Sequence, residues 1–396
     1  MSDCEIIRFV TIDDICKVSR GASPRPINNY LTQSEEGTPW IKIGDVGTFD
    51  KYIKRTKERI TQEGVKKSRL LHKGDLVLSN SMSFGRPYIL EIDGCIHDGW
   101  ISLSGYEKYI LRDYLYEVLN TKSVQYYWAI KANNGGAMSN LNSDIVKSTS
   151  IPLPHIKVQE EIVKILDSFT NLIDALNEEL SLRQKQFEYY REKLLTFDET
   201  VERLSFGNDF SLKARIGWQG LTKKEYRKSG DYYLITGTDF KDGNQIDFSR
   251  CVYVDEERYR QDPSIQIKPN DVLITKDGTL GKVAFIEKMD KPATLNGGVF
   301  VVRSKVDGVI PKYVAYYLSS SIFKNWIEQN HTNGSIMHLT QKLLVKFEIA
   351  IPSIEVQQSI VEKLDAFESL ISSLKEEIAL RQKQYEYYRE KLLTFE

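Results

Sequence analysis

The sequence predicts an α+β protein in which two similar mixed α/β domains are separated by two long helices that form an antiparallel coiled coil. Three observations support this prediction. A sixteen-residue stretch, Leu182–Phe197, returns as Leu380–Phe395 with a single difference, Phe187 against Tyr385. Each copy lies at the C-terminal end of a long heptad pattern. Each heptad pattern is preceded by a globular segment, and the two globular segments have the same order of predicted elements. The copies lie 198 residues apart in a chain of 396, so the chain is a pseudo-twofold internal repeat.

The two long helices are predicted from apolar residues in strict four-three spacing, a heptad seam held over more than four heptads. Residues 159–197 contain neither Gly nor Pro, and a helix of about 38 residues would be roughly 57 Å long. Arg183 and Arg381 interrupt the seams at the same heptad site, where either their stems lie along the seam or their charges fix the register of the pair. The seam positions are Ile162, Leu166, Phe169, Ile173, Leu176, Leu180, Arg183, Phe187, Tyr190 and Leu194, and then Ile360, Leu364, Phe367, Ile371, Leu374, Ile378, Arg381, Tyr385, Tyr388 and Leu392.

Each globular segment is predicted from short apolar runs separated by Gly, Asp and Asn turns, followed by a helical stretch. The two halves share this order, although most of their side chains differ. The corresponding segments are 40–46 and 231–240, 72–90 and 268–286, 96–103 and 295–302, and 112–130 and 311–327.

Two connecting stretches complete the plan. Residues 151–154 (IPLP) are predicted as an extended junction, because proline disfavours helix in the residue before it. Residues 198–210 are predicted as a polar linker. The resulting boundaries are 1–150 for the first mixed domain, 151–199 for the central helical region, 200–350 for the second mixed domain and 351–396 for the C-terminal helical region.

Composition indicates an ordinary soluble protein: 41% of the residues are hydrophobic, 28% are charged and the net charge is −1. No apolar run approaches the roughly 18 residues of a membrane span, and the first residues lack the pattern of a signal peptide. The four cysteines lie far apart without metal-type pairing. We therefore expect a cytoplasmic protein with free thiols.

Charge is distributed unevenly along the chain. Residues 51–73 contain nine basic and two acidic residues, and residues 212–228 contain six basic residues and one acidic residue. Each run alone is typical of a solvated surface. One basic run in each half, however, favours contact with a polyanion such as DNA, although the low net charge argues against strong DNA binding by this chain alone.

The sequence lacks the common catalytic motifs. GTLGK, residues 278–282, is too short for a phosphate-binding loop, and no methyltransferase signature is present. The five histidines do not have metal-ligand spacing. We therefore expect no catalytic residue, no metal and no cofactor in this chain.

Both halves contain the same motif before their long helix. Ser150-Ile151-Pro152-Leu153-Pro154 and Ile349-Ala350-Ile351-Pro352 are followed, after four further residues, by a Gln-x-x-Ile-Val pattern and then by Leu-Asp, and each helix ends in Tyr-Tyr-Arg-x-x-Leu-Leu. The Gln-x-x-Ile-Val and Leu-Asp residues are Gln159, Ile162, Val163, Leu166 and Asp167, and then Gln357, Ile360, Val361, Leu364 and Asp365. Together with the duplication, these motifs closely resemble the specificity subunit of type I restriction-modification systems, over essentially the whole chain.

The resemblance implies two target recognition domains and two conserved helical regions. It also implies that the chain recognises an asymmetric, bipartite double-stranded DNA sequence with a non-specific spacer. The expected partners are two modification subunits, which methylate adenine, and restriction subunits, which translocate and cut DNA. A pair of divergent domains held apart by near-identical helices fits such a target, since protein geometry sets half-site spacing.

Within this frame, candidate DNA-binding residues are those in equivalent loops of the two domains that have donors or acceptors for base edges or phosphates. They are Arg20, Arg25, Lys42, Asn80, Ser83 and Arg86 in the first domain, and Thr236, Lys276, Asp277, Thr279, Lys282 and His331 in the second.

Candidate partner-binding residues lie outside the seam and are identical in the two repeats. They are Gln184, Lys185, Tyr189, Arg191 and Glu192, and then Gln382, Lys383, Tyr387, Arg389 and Glu390. Two copies of one partner docking equivalently would require such matched faces, but a recent duplication would also produce them.

A different class of protein also fits the sequence. A coiled-coil scaffold whose two globular domains bind other proteins would have the same plan, but its assembled complex would have no salt-dependent affinity for DNA. A stand-alone nuclease or methyltransferase is disfavoured by the missing motifs.

Overall fold

The computed structural model describes residues 7–47, 50–80, 84–133, 140–217, 220–277, 280–330 and 339–395. It divides into two compact units of mixed sequence origin. Unit 1 contains residues 1–176 together with 377–396, and unit 2 contains residues 177–376. Each unit therefore combines one mixed α/β domain with parts of both long helices.

Unit 1 contains twelve strands, five short helices and parts of both long helices in its described residues. The strands are β1 (Arg8–Thr11), β2 (Lys17–Arg20), β3 (Leu31–Thr32), β4 (Thr38–Ile41), β5 (Tyr52–Ile53), β6 (Glu58–Ile60), β7 (Arg69–Leu71), β8 (Leu76–Ser79), β9 (Pro87–Leu90), β10 (Gly94–Ile96), β11 (Trp100–Ser104) and β12 (Ser150–Leu153). The helices are α1 (Ile12–Ile15), α2 (Gln62–Lys66), α3 (Arg112–Leu119), α4 (Lys122–Asn133), α5 (Ser143–Lys147) and α6 (Ile156–Leu195).

Ten strands of unit 1 form two five-stranded sheets, β2-β11-β8-β9-β5 and β3-β6-β4-β10-β7, and β1 pairs with β12 in a separate two-stranded sheet. Most pairs are antiparallel, but β4 and β10 run parallel, as do β5 and β9. Strand β8 (LVLS) and strand β9 (PYIL) are buried at every position. Both faces of this part of the sheet are covered, which explains why these strands are apolar runs and not alternating patterns.

Unit 2 repeats this plan with small differences. Its strands are β13 (Arg203–Ser205), β14 (Phe210–Lys213), β15 (Tyr232–Ile235), β16 (Phe240–Lys241), β17 (Gln245–Ile246), β18 (Val252–Val254), β19 (Gln266–Ile267), β20 (Val272–Thr275), β21 (Val283–Phe285), β22 (Ala293–Leu295), β23 (Val299–Ser304) and β24 (Glu348–Ala350). Its helices are α7 (Glu256–Arg260), α8 (Pro311–Leu318), α9 (Ser321–Asn330) and α10 (Gln341–Leu344), and it shares α11 (Ile354–Leu393) with unit 1.

The sheets of unit 2 correspond to those of unit 1. The four-stranded sheet β14-β23-β20-β21 matches β2-β11-β8-β9, and β18-β15-β22-β19 matches β6-β4-β10-β7. The parallel pair β15–β22 stands where β4–β10 stands in unit 1. The predicted duplication of the mixed domain is therefore confirmed at the level of strand order and direction.

The two long helices confirm the heptad prediction. Helices α6 and α11 each contain 40 residues, about 60 Å at 1.5 Å per residue, and every predicted seam position is buried or half-buried. Unit 1 holds the start of α6 with the end of α11, and unit 2 holds the end of α6 with the start of α11. The helices therefore pair in antiparallel fashion. Stacked rings mark the pairing: Phe169 on Tyr388 in unit 1, with centroids 5.3 Å apart, and Tyr190 on Phe367 in unit 2, at 5.5 Å.

The predicted linker 198–210 is wrong in part, because Arg203–Ser205 forms strand β13 and pairs with β24, and Phe206 is fully buried in the core of unit 2. The stretch is polar in composition, so a three-residue strand within it gives little periodic signal. The junction 151–154 is extended as expected, and most of it belongs to strand β12, which pairs with β1.

Candidate nucleic-acid interface

Loops at the ends of β2, β8 and β10 meet in unit 1, and we call this site the first loop cluster (residues 20–25, 42–45, 79–80, 84–86 and 97–99). Asp98 is its centre. Ser23 Oγ donates to Asp98 Oδ1 at 2.9 Å, and Arg25 Nη2 lies 3.3 Å from Oδ2. The carbonyl oxygen of Asp98 accepts from Arg20 Nε at 3.2 Å and from Asn80 Nδ2 at 2.9 Å. The structure thus brings three sequence-predicted residues, Arg20, Arg25 and Asn80, to one turn.

The three residues differ in what they can still do. The side chain of Arg25 is 83% exposed, so its ion pair with Asp98 contributes little to stability and the guanidinium can turn to another acceptor. Arg20 is also exposed. Asn80 is buried, and its amide already bonds the carbonyl oxygen of Asp98. In this conformation Asn80 positions the turn.

Asp98 itself was missed by the sequence reasoning. Burial raises the pKa of its carboxyl group, but the hydrogen bond from Ser23 and the nearby charges outweigh that effect, so the pKa lies below its ordinary value. The group is therefore a carboxylate at neutral pH, and a carboxylate can accept a hydrogen bond from the amino group of cytosine. Its position two residues after the end of strand β10 was the available signal.

Two further predicted residues of unit 1 lie beside this turn. Lys42 precedes the short turn Ile43–Asp45, and its ammonium group contacts Glu58 Oε1 at 2.6 Å. Arg86 is half-buried, and its Nη1 atom has no hydrogen-bond partner among the described residues. Ser83 lies outside the described residues.

Unit 2 has a second loop cluster, built on the same backbone frame (residues 236–239, 275–277, 280–282 and 296–298). The amide of Lys276 donates to the carbonyl of Gly298 at 2.9 Å, as that of Asn80 donates to Gly99 at 3.0 Å. The amide of Lys282 donates to Thr275 Oγ1 at 2.9 Å, as that of Arg86 donates to Ser79 Oγ at 3.2 Å. Lys276 therefore corresponds to Asn80, and Lys282 to Arg86.

The side chains of the second loop cluster differ from those of the first. Lys282 is exposed, whereas Lys276 Nζ lies 5.5 Å from the ring centre of Phe300. Thr236 Oγ1 donates to Asp239 Oδ2 at 2.9 Å. A Cβ atom at Gly298 would lie 3.7 Å from Asp277 Oδ2, so this carboxylate lies over the glycine turn 297–298. Thr279 and His331 lie outside the described residues.

The basic runs are only partly available to a ligand. Arg215, in the second run, is buried, and it donates to the carbonyl of Leu295 at 2.8 Å and to Thr294 Oγ1 at 3.2 Å. Lys51, in the first run, contacts Asp113 at 2.9 Å with 16% of its side chain exposed. Others remain exposed, and these are Lys54, Arg55, Lys57, Lys66, Lys67 and Lys73, and then Lys213, Lys223, Lys224, Arg227 and Lys228.

The outer positions of the repeated helix ends fall into two groups. Gln184, Lys185, Gln382 and Lys383 are exposed, and so are Tyr189 (59%) and Tyr387 (60%). The neighbouring Leu182 and Leu380 are also exposed, at 54% and 60%. Each helix end thus has two large exposed side chains, seven residues apart, outside the seam. We call the pairs Leu182 with Tyr189 and Leu380 with Tyr387 the outer stripes.

Arg191 and Arg389 do not belong to the outer stripes, so the expectation that they face outward is wrong. Their side chains are 19% and 15% exposed. Arg191 lies over the ring of Phe187, at 5.5 Å, and Arg389 over that of Tyr385, at 5.3 Å. A heptad pattern identifies the seam but not which outer positions turn toward a domain of the same chain.

The acidic neighbours of these arginines bind the globular domains. The carboxylate of Glu390 accepts from the amide of Lys122, the first residue of α4, at 3.0 and 3.1 Å. The carboxylate of Glu192 accepts from the amide of Ser321, the first residue of α9, at 3.1 and 2.9 Å. In both units a glutamate of the repeat therefore caps the N-terminus of a domain helix, where unpaired amides favour an anion.

Within the described ranges, no group of three or more His, Cys, Asp or Glu side chains is arranged to hold a metal ion. None of the described helices is both long and apolar enough to cross a membrane.

The fold and the paired loop clusters define a class of protein: two equivalent domains, each with a polar loop surface, on antiparallel helices. The model of the type I restriction modification DNA specificity domain matches residues 5–182 and 219–380. The chain therefore belongs to the type I restriction-modification DNA specificity family, a family of non-catalytic subunits whose general role is recognition of a DNA target.

Three comparisons illustrate the relationship. The chain is 35% identical over 266 residues to the type I restriction enzyme EcoR124I/EcoR124II specificity subunit of Escherichia coli; the match covers 63% of this chain and 63% of that subunit's length. A solved chain of a type I restriction-modification system, described for its assembly and conformational transition, has a TM-score of 0.63 at 16% identity, covering 98% of this chain and 97% of that one. The S subunit from M. genitalium has a TM-score of 0.53 at 15% identity, covering 100% and 98%. At such identities the solved structures support the fold alone.

Proposed function

We propose that each recognition domain reads one half of an asymmetric, bipartite DNA target through its loop cluster, and that the long helices set the spacing between the halves. The observation that carries this proposal is the pairing of equal backbone frames with different side chains. Asn80 and Asp98 in the first loop cluster stand where Lys276 and Gly297 stand in the second. Different donors and acceptors on one frame select different bases, so the two half-sites differ.

Within each loop cluster we assign the exposed basic residues to direct contact with DNA. Arg20 and Arg25 in unit 1, and Lys282 in unit 2, are exposed beside a turn that is fixed by backbone hydrogen bonds. Buried Asn80 and half-buried Lys42 and Thr236 hold the turns in place. Such an arrangement keeps the reading side chains mobile on a rigid frame, which suits contact with both phosphates and base edges.

We further propose that two modification subunits dock on the outer stripes, one on Leu182 with Tyr189 and one on Leu380 with Tyr387. Exposed Tyr and Leu side chains are suitable anchors for a protein interface. Lys185 and Lys383, with Gln184 and Gln382, supply the polar rim. The docked subunits methylate adenine within the target, restriction subunits cut DNA in the full complex, and the assembly is cytoplasmic.

The decisive experiment is a genome-wide map of methylated adenines after co-expression of this chain with the modification subunit of its own locus. We expect one gapped, asymmetric motif methylated on both strands. Arg25→Ala should relax the preference in one half of the motif, and Lys282→Ala in the other half.

The control for this map is Arg260→Ala on α7, which removes another exposed basic side chain and should leave the motif unchanged. A complex that assembles and binds methyl donor but yields no motif would overturn the proposal in favour of a protein-binding scaffold. Altered preference in the same half for both variants would contradict the assignment of one half-site to each domain.

A further inference from the structure

The single difference between the repeated helix ends lies at a buried contact with a recognition domain. In unit 1, Tyr385 is 7% exposed, and its hydroxyl donates to Glu117 Oε2 of helix α3 at 2.7 Å. Glu117 is 1% exposed, and its other oxygen, Oε1, has no hydrogen-bond partner among the described residues. The Tyr385 hydroxyl is therefore the hydrogen-bond donor that the structure gives to this buried carboxyl group.

The corresponding contact in unit 2 has different chemistry. Phe187 packs edge-on against Tyr316 of helix α8, with ring centres 6.5 Å apart. Tyr316 is 2% exposed, and its hydroxyl donates to Asp365 Oδ1 at 2.6 Å and to Glu368 Oε2 at 2.9 Å. Glu117 and Tyr316 occupy the same position, the sixth residue of α3 and of α8. The two differences, Phe187 against Tyr385 and Tyr316 against Glu117, thus face each other.

Two other contacts of the repeat are shared by both units. Glu390 caps α4 and Glu192 caps α9. Leu393 is buried in the core of unit 1, and Leu195 in the core of unit 2. These shared contacts would hold either recognition domain on either helix end, so they cannot distinguish between the domains.

We propose that residues 187 and 385 determine which recognition domain a helix end accepts, by matching the residue at the sixth position of α3 or α8. A domain with a buried glutamate there requires a tyrosine on the helix, because a phenylalanine would leave both carboxyl oxygens buried without a donor. A domain with a tyrosine there has its hydroxyl bonded within its own unit and is satisfied by phenylalanine. The selection is one-sided: the first domain is selective, and the second is permissive.

The first test is a double-mutant cycle in the full-length chain. Tyr385→Phe leaves the Glu117 carboxyl group buried without a donor, and we expect it to lower the melting midpoint of unit 1 by about 2–10 °C. Glu117→Met in the Tyr385→Phe background removes the stranded carboxyl group and should recover most of that loss. Hydrogen exchange shows which unit is affected. In Tyr385→Phe we expect faster exchange in residues 112–132 of unit 1 and unchanged exchange in residues 311–330 of unit 2.

Two matched variants control this cycle. Phe187→Tyr places the same hydroxyl in unit 2 opposite Tyr316, whose hydroxyl already donates to Glu368, and should change the exchange of residues 311–330 much less. Tyr126→Phe removes a hydroxyl from a side chain that is 69% exposed on α4 and should have no effect. Additive effects of Tyr385→Phe and Glu117→Met, or no effect of Tyr385→Phe, would overturn the proposal.

The second test exchanges a domain directly. In a full-length chain whose residues 203–350 are replaced by a second copy of the corresponding residues 9–152, the copied Glu117 faces Phe187. We expect rapid hydrogen exchange in the copied α3 and α4, and slower exchange after Phe187→Tyr. Equal exchange with Phe and with Tyr at this position would contradict the matching rule. If the exchanged chain does not fold, the double-mutant cycle decides. Neither test involves DNA, so either result is independent of the proposed reading function.

Discussion

The ion pair between Asp98 and Arg25 contributes little to the stability of the fold, but its groups are well placed to recognise DNA. The pair is open to solvent on the arginine side, with 83% of the Arg25 side chain exposed, while the Asp98 carboxylate is fixed by Ser23. A fixed acceptor beside a movable donor can present both groups to a base pair. DNA binding would replace the Asp98 contact of Arg25 with contacts to a phosphate or a guanine.

Arg25→Ala should therefore weaken specific DNA binding by the assembled complex by about 5- to 150-fold, since one base contact is worth roughly 1–3 kcal/mol. The melting midpoint should be unchanged, because the ion pair is exposed. Fluorescence anisotropy with a cognate duplex measures the affinity, and Arg260→Ala is the control. Equal affinity for the Arg25→Ala complex and the wild-type complex would exclude Arg25 from the interface.

Glu368 gives unit 2 a dependence on pH. Burial raises the pKa of this carboxyl group from its ordinary value of 4.5 to about 6, although the hydrogen bond from Tyr316 and the charge of Lys312 lower it. The folded unit then holds the proton more tightly than the unfolded chain does. The free energy of unfolding should fall as the pH rises from about 4.5 to about 6, by roughly 2 kcal/mol.

Glu368→Gln should remove this part of the pH dependence and leave the remainder. Urea unfolding between pH 4.5 and pH 7 measures how the free energy of unfolding depends on pH. Hydrogen exchange of residues 311–330 over the same range assigns the effect to unit 2. Identical pH slopes for the variant and the wild type would contradict the assignment.

For single residues, the sequence predicted which loops come together better than it predicted the contacts that their side chains make. Arg20, Arg25 and Asn80 were predicted from their residue types and do meet at one turn. Their partner, Asp98, lies more than 70 residues from Arg20 and Arg25 in the chain, and no local pattern reports such a contact. For the same reason the sequence could not show that the Asn80 amide is already bonded.

The helices illustrate the opposite case, in which a local pattern is sufficient. Four-three spacing predicted both long helices, their seams and their pairing, because heptad periodicity is a property of neighbouring turns. Arg183 and Arg381 pair within their own helices, with Glu179 and Glu377 at 2.7 Å, four residues earlier. The outer positions were harder to predict: Arg191 and Arg389 turn toward a globular domain, whereas Tyr189 and Tyr387 remain exposed.

Tyr189→Glu and Tyr387→Glu should each reduce the number of modification subunits bound per chain from two to one, and the double variant should bind none. A buried glutamate without a partner disrupts an apolar interface, while the exposed positions make the isolated chain insensitive to the change. Native mass spectrometry of the co-expressed complex counts the subunits, and Tyr126→Glu on α4 serves as the control. Two bound subunits in the double variant would remove the outer stripes as the docking site.

At the scale of the whole molecule, each unit is assembled from distant parts of the chain. Leu393, near the end of the sequence, is buried with the core of the first domain, and its counterpart Leu195 is buried with the core of the second. Sequence similarity between the halves showed that the domains are alike. It did not show that the end of each long helix belongs to the core of the other half's domain, because the two repeats are too similar to reveal a preference.

Leu393→Ala should therefore destabilise unit 1 and Leu195→Ala unit 2, each by about 2–5 kcal/mol through loss of buried side-chain volume. Hydrogen exchange separates the two: residues 112–132 should exchange faster in Leu393→Ala, and residues 311–330 in Leu195→Ala. The reverse assignment would show that each helix end stabilises the domain that precedes it in the sequence.

The origin of unit 1 from residues 1–176 and 377–396 has a consequence for synthesis on the ribosome. Unit 2, residues 177–376, is one continuous segment, so all of its residues have been made while the segment that completes unit 1 is still being translated. The first domain leaves the ribosome first. Two of its contacts cannot form until the end of the chain is made: the hydrogen bond from Tyr385 to Glu117 on α3, and the capping of the α4 N-terminus by Glu390. The domain made first is thus the last to be completed, and for that interval it depends on its own sheets to remain folded.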